Sequence, residues 1–135
     1  MYIKILSASV SVPGRADAME LQFHPGINIL WGQNAEHIVR ELAGTTPIVD
    51  GSRLPDGLDS ASDLLLKKLY ETIGKEDARP LFVCNFLERL DEAVDLHPIF
   101  QTLNATGRQV FIAVPHYYEI NTLEELYHDT AIHTF

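Results

Sequence analysis

The stretch that decides the fold is Gly26-Ile27-Asn28-Ile29-Leu30-Trp31-Gly32-Gln33-Asn34. The turn His24-Pro25-Gly26 precedes it, its apolar centre predicts a short strand, and a glycine ends that strand. The next run, Ala35 to Ala43, has apolar residues at helical spacing, with Asn34 as the expected N-cap and Gly44 as the expected stop. A strand, a glycine-containing turn and a helix in this order place backbone N–H groups where a phosphate can bind.

The rest of the chain supplies more strands and helices around this unit. Alternating runs at residues 2–12 and 18–23 predict an antiparallel strand pair. Continuous apolar runs predict strands that are buried on both faces, at residues 27–31, 81–84 and 110–114. Short strands are expected near 48–49 and at 131–135, and helices at 64–73, 91–104 and 122–127. In the helix at 91–104, Pro98 is expected either within the first turns or at a point where it splits the helix. We therefore expect an α/β fold with a mostly parallel sheet and an N-terminal antiparallel strand pair.

Length, composition and charge limit the class of protein. The 135 residues predict one domain, residues 1–135, and its 46% hydrophobic content is ordinary. We find neither an apolar segment of about 18 residues, as membrane insertion requires, nor a secretory signal at the N-terminus. A single cysteine, Cys84, lies in an apolar run, and a lone buried thiol fits the reducing cytoplasm. The net charge of −9 argues against broad nucleic-acid binding.

Ligands of parallel α/β sheets bind where the carboxyl ends of the strands meet. Three such ends can be located here, at Trp31-Gly32, Cys84-Asn85 and Val114-Pro115-His116. We expect any ligand site of this chain to lie where these three ends adjoin.

The order of these features resembles a known family. The phrase Phe23-His24-Pro25-Gly26-Ile27-Asn28-Ile29-Leu30-Trp31-Gly32-Gln33-Asn34 leads into a helix; an apolar strand with a link ending in Leu90-Asp91 follows, and a last strand ends in Pro115-His116. Except for residues 45–78, the chain resembles the nucleotide-binding head of ABC and SMC (RecF-like) ATPases. That resemblance implies a three-layer, P-loop NTPase-like core. It also implies that Asp91 stands in the D-loop, His116 at the switch histidine and Asn85 at the magnesium-organising aspartate.

The departures from the family concern its catalytic residues. A phosphate loop needs a second glycine, a lysine and a Ser or Thr, but Gln33-Asn34-Ala35-Glu36-His37 follows Gly32 here. Glu36 brings negative charge toward the expected phosphate position, and no glutamate follows Asn85 to activate water. We therefore expect no enzyme activity, catalytic residue, cofactor or metal site. The vestigial nucleotide-site positions are Gly32, Asn34, Glu36, His37, Asn85, Asp91 and His116.

The resulting hypothesis is a catalytically inactive ATPase-like domain that binds or regulates, through self-association or an active ATPase partner. One alternative is a nucleic-acid-associated protein of DNA repair, segregation or CRISPR adaptation, with a basic strip formed by Arg15, Arg40, Arg53, Lys67 and Lys68. Another is an enzyme that has repurposed the strand-end groups Asn34, His37, Asn85, Glu88, Asp91 and His116. Simpler duties also fit three of these residues, namely a strand end for His116, a helix start for Asp91 and a turn for Asn85.

Overall fold

A computed structural model describes residues 3–12, 14–51, 78–87, 97–115 and 130–134. It contains seven strands and two helices within these ranges. The strands are β1 (Ser7–Val10), β2 (Met19–Gln22), β3 (Ile27–Trp31), β4 (Val49–Asp50), β5 (Leu81–Cys84), β6 (Val110–Val114) and β7 (Thr130–Thr134). The helices are α1 (Ala35–Ala43) and α2 (His97–Ala105).

Five of the strands form one parallel sheet in the order β4-β5-β6-β3-β7. β6 is the central strand and pairs with β3 from Ile27↔Val110 to Trp31↔Val114. β1 and β2 form a separate antiparallel pair. The sequence-based prediction of an α/β fold with a parallel sheet and an N-terminal strand pair is thus confirmed, and the arrangement is compatible with three layers.

Both faces of the sheet are covered, as the continuous apolar runs predict. On one face, Ile38 and Val39 of α1 pack in one cluster with Leu30, Phe82 and Phe111 of the sheet. The alternate residues of the same strands are also buried, at Ile27, Ile29, Leu81, Val83, Val110 and Ile112. Each large apolar side chain withdrawn from water contributes about 2 kcal/mol, so this two-sided burial is the main source of stability.

The prediction that the first strand begins at residue 2 is wrong. Residues 3–6 have no strand structure, and β1 begins only at Ser7. The reason is that the backbone of Ile5 bonds to a side chain, donating to Oε1 of Gln109 at 2.6 Å and accepting from Nε2 at 2.7 Å. A backbone whose donor and acceptor are already used in this way has no need of a strand partner.

The remaining predictions are partly covered by the described ranges. Pro98 lies in the first turn of α2, where a proline is tolerated. Outside the described residues lie the predicted helices at 64–73 and 122–127. The same holds for residues 91–96 of the predicted helix at 91–104. Among the helices described here, none has both the length and the apolar character needed to span a membrane.

Candidate functional site at the carboxyl ends of the strands

The carboxyl ends of β5, β6 and β3 adjoin, as the sequence predicts, and they enclose a pocket of about 130 Å³. The chain that leaves β3 goes on to β4, whereas the chain that leaves β6 goes on to β7 on the opposite side. Ligands of open α/β sheets bind at such a reversal of direction. The pocket is lined by Gly32, Gln33, Ala35, Glu36, Asn85, Ala113, Val114 and Pro115.

The turn from β3 into α1 forms one wall of this pocket. Gly32 has a φ of 137°, a region that favours glycine, and its N–H donates to the carbonyl of Val114 at 3.1 Å. Helix α1 then has the predicted bounds, Ala35–Ala43, with Asn34 at the N-cap and Gly44 at the C-cap. The side chain of Asn34 makes no capping hydrogen bond, so this asparagine holds the position without the usual bond.

Four polar side chains meet beside the pocket, and we call them the strand-end cluster: Glu36, Arg40, Asp50 and Asn85. The guanidinium of Arg40 donates to Glu36 Oε1 from Nη2 at 2.8 Å and from Nε at 3.3 Å. Its Nη2 also lies 3.9 Å from Asp50 Oδ2. Asn85 Nδ2 donates to Asp50 Oδ1 at 3.1 Å and reaches Glu36 Oε1 at 3.4 Å. Asn85, which lines the pocket, therefore contacts the carboxylates of both Glu36 and Asp50.

The strand-end cluster contains two carboxylates and one guanidinium. Two carboxylates share one guanidinium, because Glu36 and Asp50 both lie within ion-pair distance of Arg40. The hydrogen bond from Arg40 to Glu36 is the main cause that raises the pKa of Arg40, so this side chain stays cationic. Within the cluster, Glu36 makes the closer contact with Arg40, at 2.8 Å, and Asp50 the longer one, at 3.9 Å.

The backbone at Asn85 is held in an uncommon conformation. Asn85 has a φ of 55°, a left-handed value that asparagine tolerates better than most residues. Gly51, directly after β4, packs against the backbone of Asn85 and Phe86 so closely that a Cβ at residue 51 would overlap the Asn85 carbonyl. Asn85 therefore forms the turn that the sequence analysis expected and also lines the pocket.

His37 lies apart from the pocket. Its Nε2 is 2.9 Å from the carbonyl of Ser11, just after β1, and 3.8 Å from Glu41 Oε1. Successive residues of a helix point about 100° apart, so a neighbour of Glu36 faces elsewhere. Asp91, His116 and Glu88 of the predicted site lie outside the described residues. The structure therefore brings together Gly32, Glu36 and Asn85 of the predicted set.

Two residues of the strand-end cluster were missed by sequence reasoning as parts of a site. Arg40 follows Glu36 by one helical turn, a spacing that favours an ion pair and could have indicated it. Asp50 gave no such signal, because its contact with Asn85 spans 35 positions of the chain. Arg40 also belonged to the predicted basic strip, and its bond to Glu36 removes it from a free cationic surface. Arg53, Lys67 and Lys68 lie outside the described residues.

A second polar group lies at the opposite, amino end of the sheet, and we call it the amino-end network: His24, Asn28, Gln109 and His133. Asn28 and Gln109 are fully buried. Gln109 Nε2 donates to the carbonyl of His24 at 2.8 Å, in addition to its two bonds with Ile5. Asn28 accepts from the His24 N–H at 2.8 Å and donates to the His24 carbonyl at 2.7 Å. Its Oδ1 lies 3.0 Å from His133 Nε2, so β7 joins the same network.

The pocket formed by the described residues is small, and one of the residues that line it is acidic. Its volume of about 130 Å³ is below the ~300–1,000 Å³ of usual ligand pockets. Glu36 lies in the first turn of α1, and its negative charge disfavours an anion at this end of the helix. Within the described part of the chain, no group of three His, Cys, Asp or Glu side chains is arranged to hold a metal ion.

Comparisons with protein-family models, with curated proteins and with solved structures found no match to this chain. The resemblance to ATPase heads therefore rests on the residues themselves.

Proposed function

We propose that this chain is a catalytically inactive ABC/SMC-ATPase-like domain, which acts as a binding or regulatory protein through self-association or through a partner ATPase. The support for the ATPase-like part is positional. The β3–turn–α1 unit, the β5 end at Asn85 and the β6 end at Pro115 adjoin at one pocket, in the arrangement expected of a nucleotide site.

The observation that carries the inactive part is the position of Glu36. Glu36 lines the pocket at the first turn of α1, and its carboxylate accepts hydrogen bonds from Arg40 and Asn85. In a functional phosphate loop, a lysine and backbone N–H groups face the polyphosphate. A carboxylate in this place repels a polyphosphate. It also pairs with Arg40, the cation that could otherwise bind the phosphate groups.

Calorimetry with MgATP tests the proposal. We expect no saturable heat up to about 1 mM nucleotide, which corresponds to a binding free energy weaker than about −4 kcal/mol. Phosphate release should equal that of buffer. Binding in the micromolar range, or turnover that scales with protein concentration, would overturn the inactive assignment.

A pair of variants tests the part assigned to Glu36. Glu36→Gln removes the charge at the pocket, and Glu41→Gln removes the same charge from the exposed far end of α1. We expect Glu36→Gln to acquire weak affinity for pyrophosphate and Glu41→Gln to acquire none. Equal behaviour of the two variants would show that Glu36 does not govern anion access.

Size-exclusion chromatography with light scattering tests the association part. A dimer or larger species supports self-association. A monomer at all concentrations leaves only the partner ATPase, for which co-purification with an active head protein is the corresponding test.

A further inference from the structure

The turn that joins β2 to β3 contains a hydrogen bond that only one form of histidine can make. The backbone N–H of Gly26 donates to Nδ1 of His24 at 2.8 Å. A ring nitrogen accepts a hydrogen bond only when it carries no proton, and a neutral imidazole then carries its proton on the other nitrogen. The contact therefore requires His24 to be neutral, with its proton on Nε2.

The backbone of this turn is held by groups other than the His24 ring. The side chain of Asn28 accepts from the His24 N–H at 2.8 Å and donates to the His24 carbonyl at 2.7 Å. Gln109 Nε2 donates to the same carbonyl at 2.8 Å, and the N–H of Val110 donates to the carbonyl of Gly26 at 3.0 Å. All of these partners are amides, which do not titrate near neutral pH. The backbone of the turn therefore does not depend on the charge of the ring.

Four charged or titratable side chains lie on the elements that adjoin this turn, namely Lys4 before β1, Glu20 on β2, Arg108 before β6 and His133 on β7. Lys4 is in direct contact with the turn, because its Nζ donates to the carbonyl of Pro25 at 2.9 Å. No described carboxylate lies within ion-pair distance of the His24 ring. A proton on His24 thus adds a positive charge close to the ammonium group of Lys4.

We propose that the β2–β3 turn contains a proton-sensitive hydrogen bond: protonation of His24 at Nδ1 breaks its bond with the Gly26 N–H and releases the ring, while the backbone of the turn stays in place. An imidazolium is a donor at both nitrogens, so two N–H groups would face each other at the present contact. The ring is partly exposed and can turn toward water. The amino end of the sheet then gains a cation as the pH falls. This change is independent of the proposed function, which concerns the strand-end pocket.

A pH titration of the isotope-labelled full chain by NMR, from about pH 8 to about pH 5, tests the proposal. It follows the ring nitrogens of His24 and the backbone amide signals of Gly26 and Val110. His24→Asn is the matched variant, because an asparagine side chain can accept from the N–H two residues further on and does not titrate. His133→Gln is the control, since it removes the other titratable ring of the amino-end network and leaves His24 in place.

At about pH 8 we expect His24 to carry a proton on Nε2 and none on Nδ1. On acidification, the Gly26 signal should move with the same midpoint as the His24 ring nitrogens, and the Val110 signal should move much less. The movement at Gly26 should be lost in His24→Asn and retained in His133→Gln. A proton on Nδ1 at about pH 8, or a Gly26 signal that does not follow the ring, would overturn the proposal. Equal movement of Val110 and Gly26 would overturn the fixed backbone. The titration of the parent chain decides the question even where a variant does not fold.

Discussion

The two ends of the parallel sheet both carry polar groups, but they use them differently. At the amino end, the buried amides of Asn28 and Gln109 bond to backbone groups of the β2–β3 turn and of residue 5. At the carboxyl end, the half-exposed side chains of Glu36 and Arg40 bond to each other and to the side chains of Asp50 and Asn85. The amino-end network replaces missing backbone partners, whereas the strand-end cluster lies beside a pocket and bonds mainly within itself.

This difference indicates where stability and where function are decided. A buried amide with several backbone partners is costly to remove, because every partner is left without a bond. An exposed ion pair contributes little to stability. Substitutions in the amino-end network should therefore change the free energy of unfolding, and substitutions in the strand-end cluster should mainly change which ligands approach.

The largest expected effect comes from Gln109→Leu. The leucine fills a similar volume but leaves the N–H and carbonyl of Ile5 and the carbonyl of His24 without this partner. We expect a loss of about 3 kcal/mol in the free energy of unfolding, measured by urea denaturation. Gln101→Leu, at an exposed position of α2, is the matched control and should change stability by less than about 0.5 kcal/mol. Equal losses in the two variants would contradict a structural part for the amino-end network.

Gly51→Ala should have the next largest effect, although it lies near the strand-end cluster. The new methyl group overlaps the Asn85 carbonyl and must displace the backbone of Asn85 and Phe86. We expect a loss of about 2 kcal/mol together with a shifted amide NMR signal of Asn85. Gly14→Ala has free space around its Cβ but a φ of 84°, so it should cost about 1 kcal/mol and leave the Asn85 signal in place. An unchanged Asn85 signal in the Gly51 variant would show that this close approach does not position Asn85.

Arg40→Met should have a smaller effect on stability. It removes the guanidinium shared by Glu36 and Asp50, but Arg40 and Glu36 are about half exposed. We expect a loss below about 1 kcal/mol that becomes smaller still in high salt. Arg15→Met, at an exposed position, is the control. A loss as large as that of Gln109→Leu would remove the contrast between the two ends of the sheet.

The smallest expected effect is a pH dependence that arises at His133. Partial burial lowers the pKa of His133 below its usual value of 6.5, since desolvation disfavours the charged ring. The unfolded chain therefore takes up this proton first, and stability falls as the pH drops through 6.5 toward the lower pKa of the folded chain. His133→Gln can still donate to Asn28 but does not titrate. Its stability should change less than that of the parent chain between about pH 7.5 and pH 5.5, and equal slopes would contradict the assignment.

Local pattern was sufficient to predict much of the fold. The bounds of α1 and of β6 follow from apolar spacing and from the glycines beside them, and the structure confirms them. The beginning of the first strand could not be predicted, because Gln109 bonds to Ile5 across 104 positions of the chain. No pattern in the sequence near Ile5 indicates that the side chain of Gln109 takes the place of a neighbouring strand.

The candidate site was predictable to a similar extent. The rule that ligands bind at the carboxyl ends of parallel strands indicated Gly32 and Asn85, and both line the pocket. Glu36 and His37 were expected at one site because of the resemblance to a phosphate loop, which does not say how α1 is rotated, and in the structure His37 contacts Ser11 instead. Asp50 joins the strand-end cluster only through the order of β4 and β5 in the sheet, which the sequence does not reveal.

The central claim is that the strand-end pocket has the position of a nucleotide site without its chemistry. The most direct test is a titration of the isotope-labelled chain with MgATP, followed through the backbone amide NMR signals of Gly32, Ala35 and Asn85, which line the pocket. We predict that these signals do not move in a saturable way up to about 1 mM nucleotide. Saturable shifts of these three signals with a micromolar midpoint would contradict the claim.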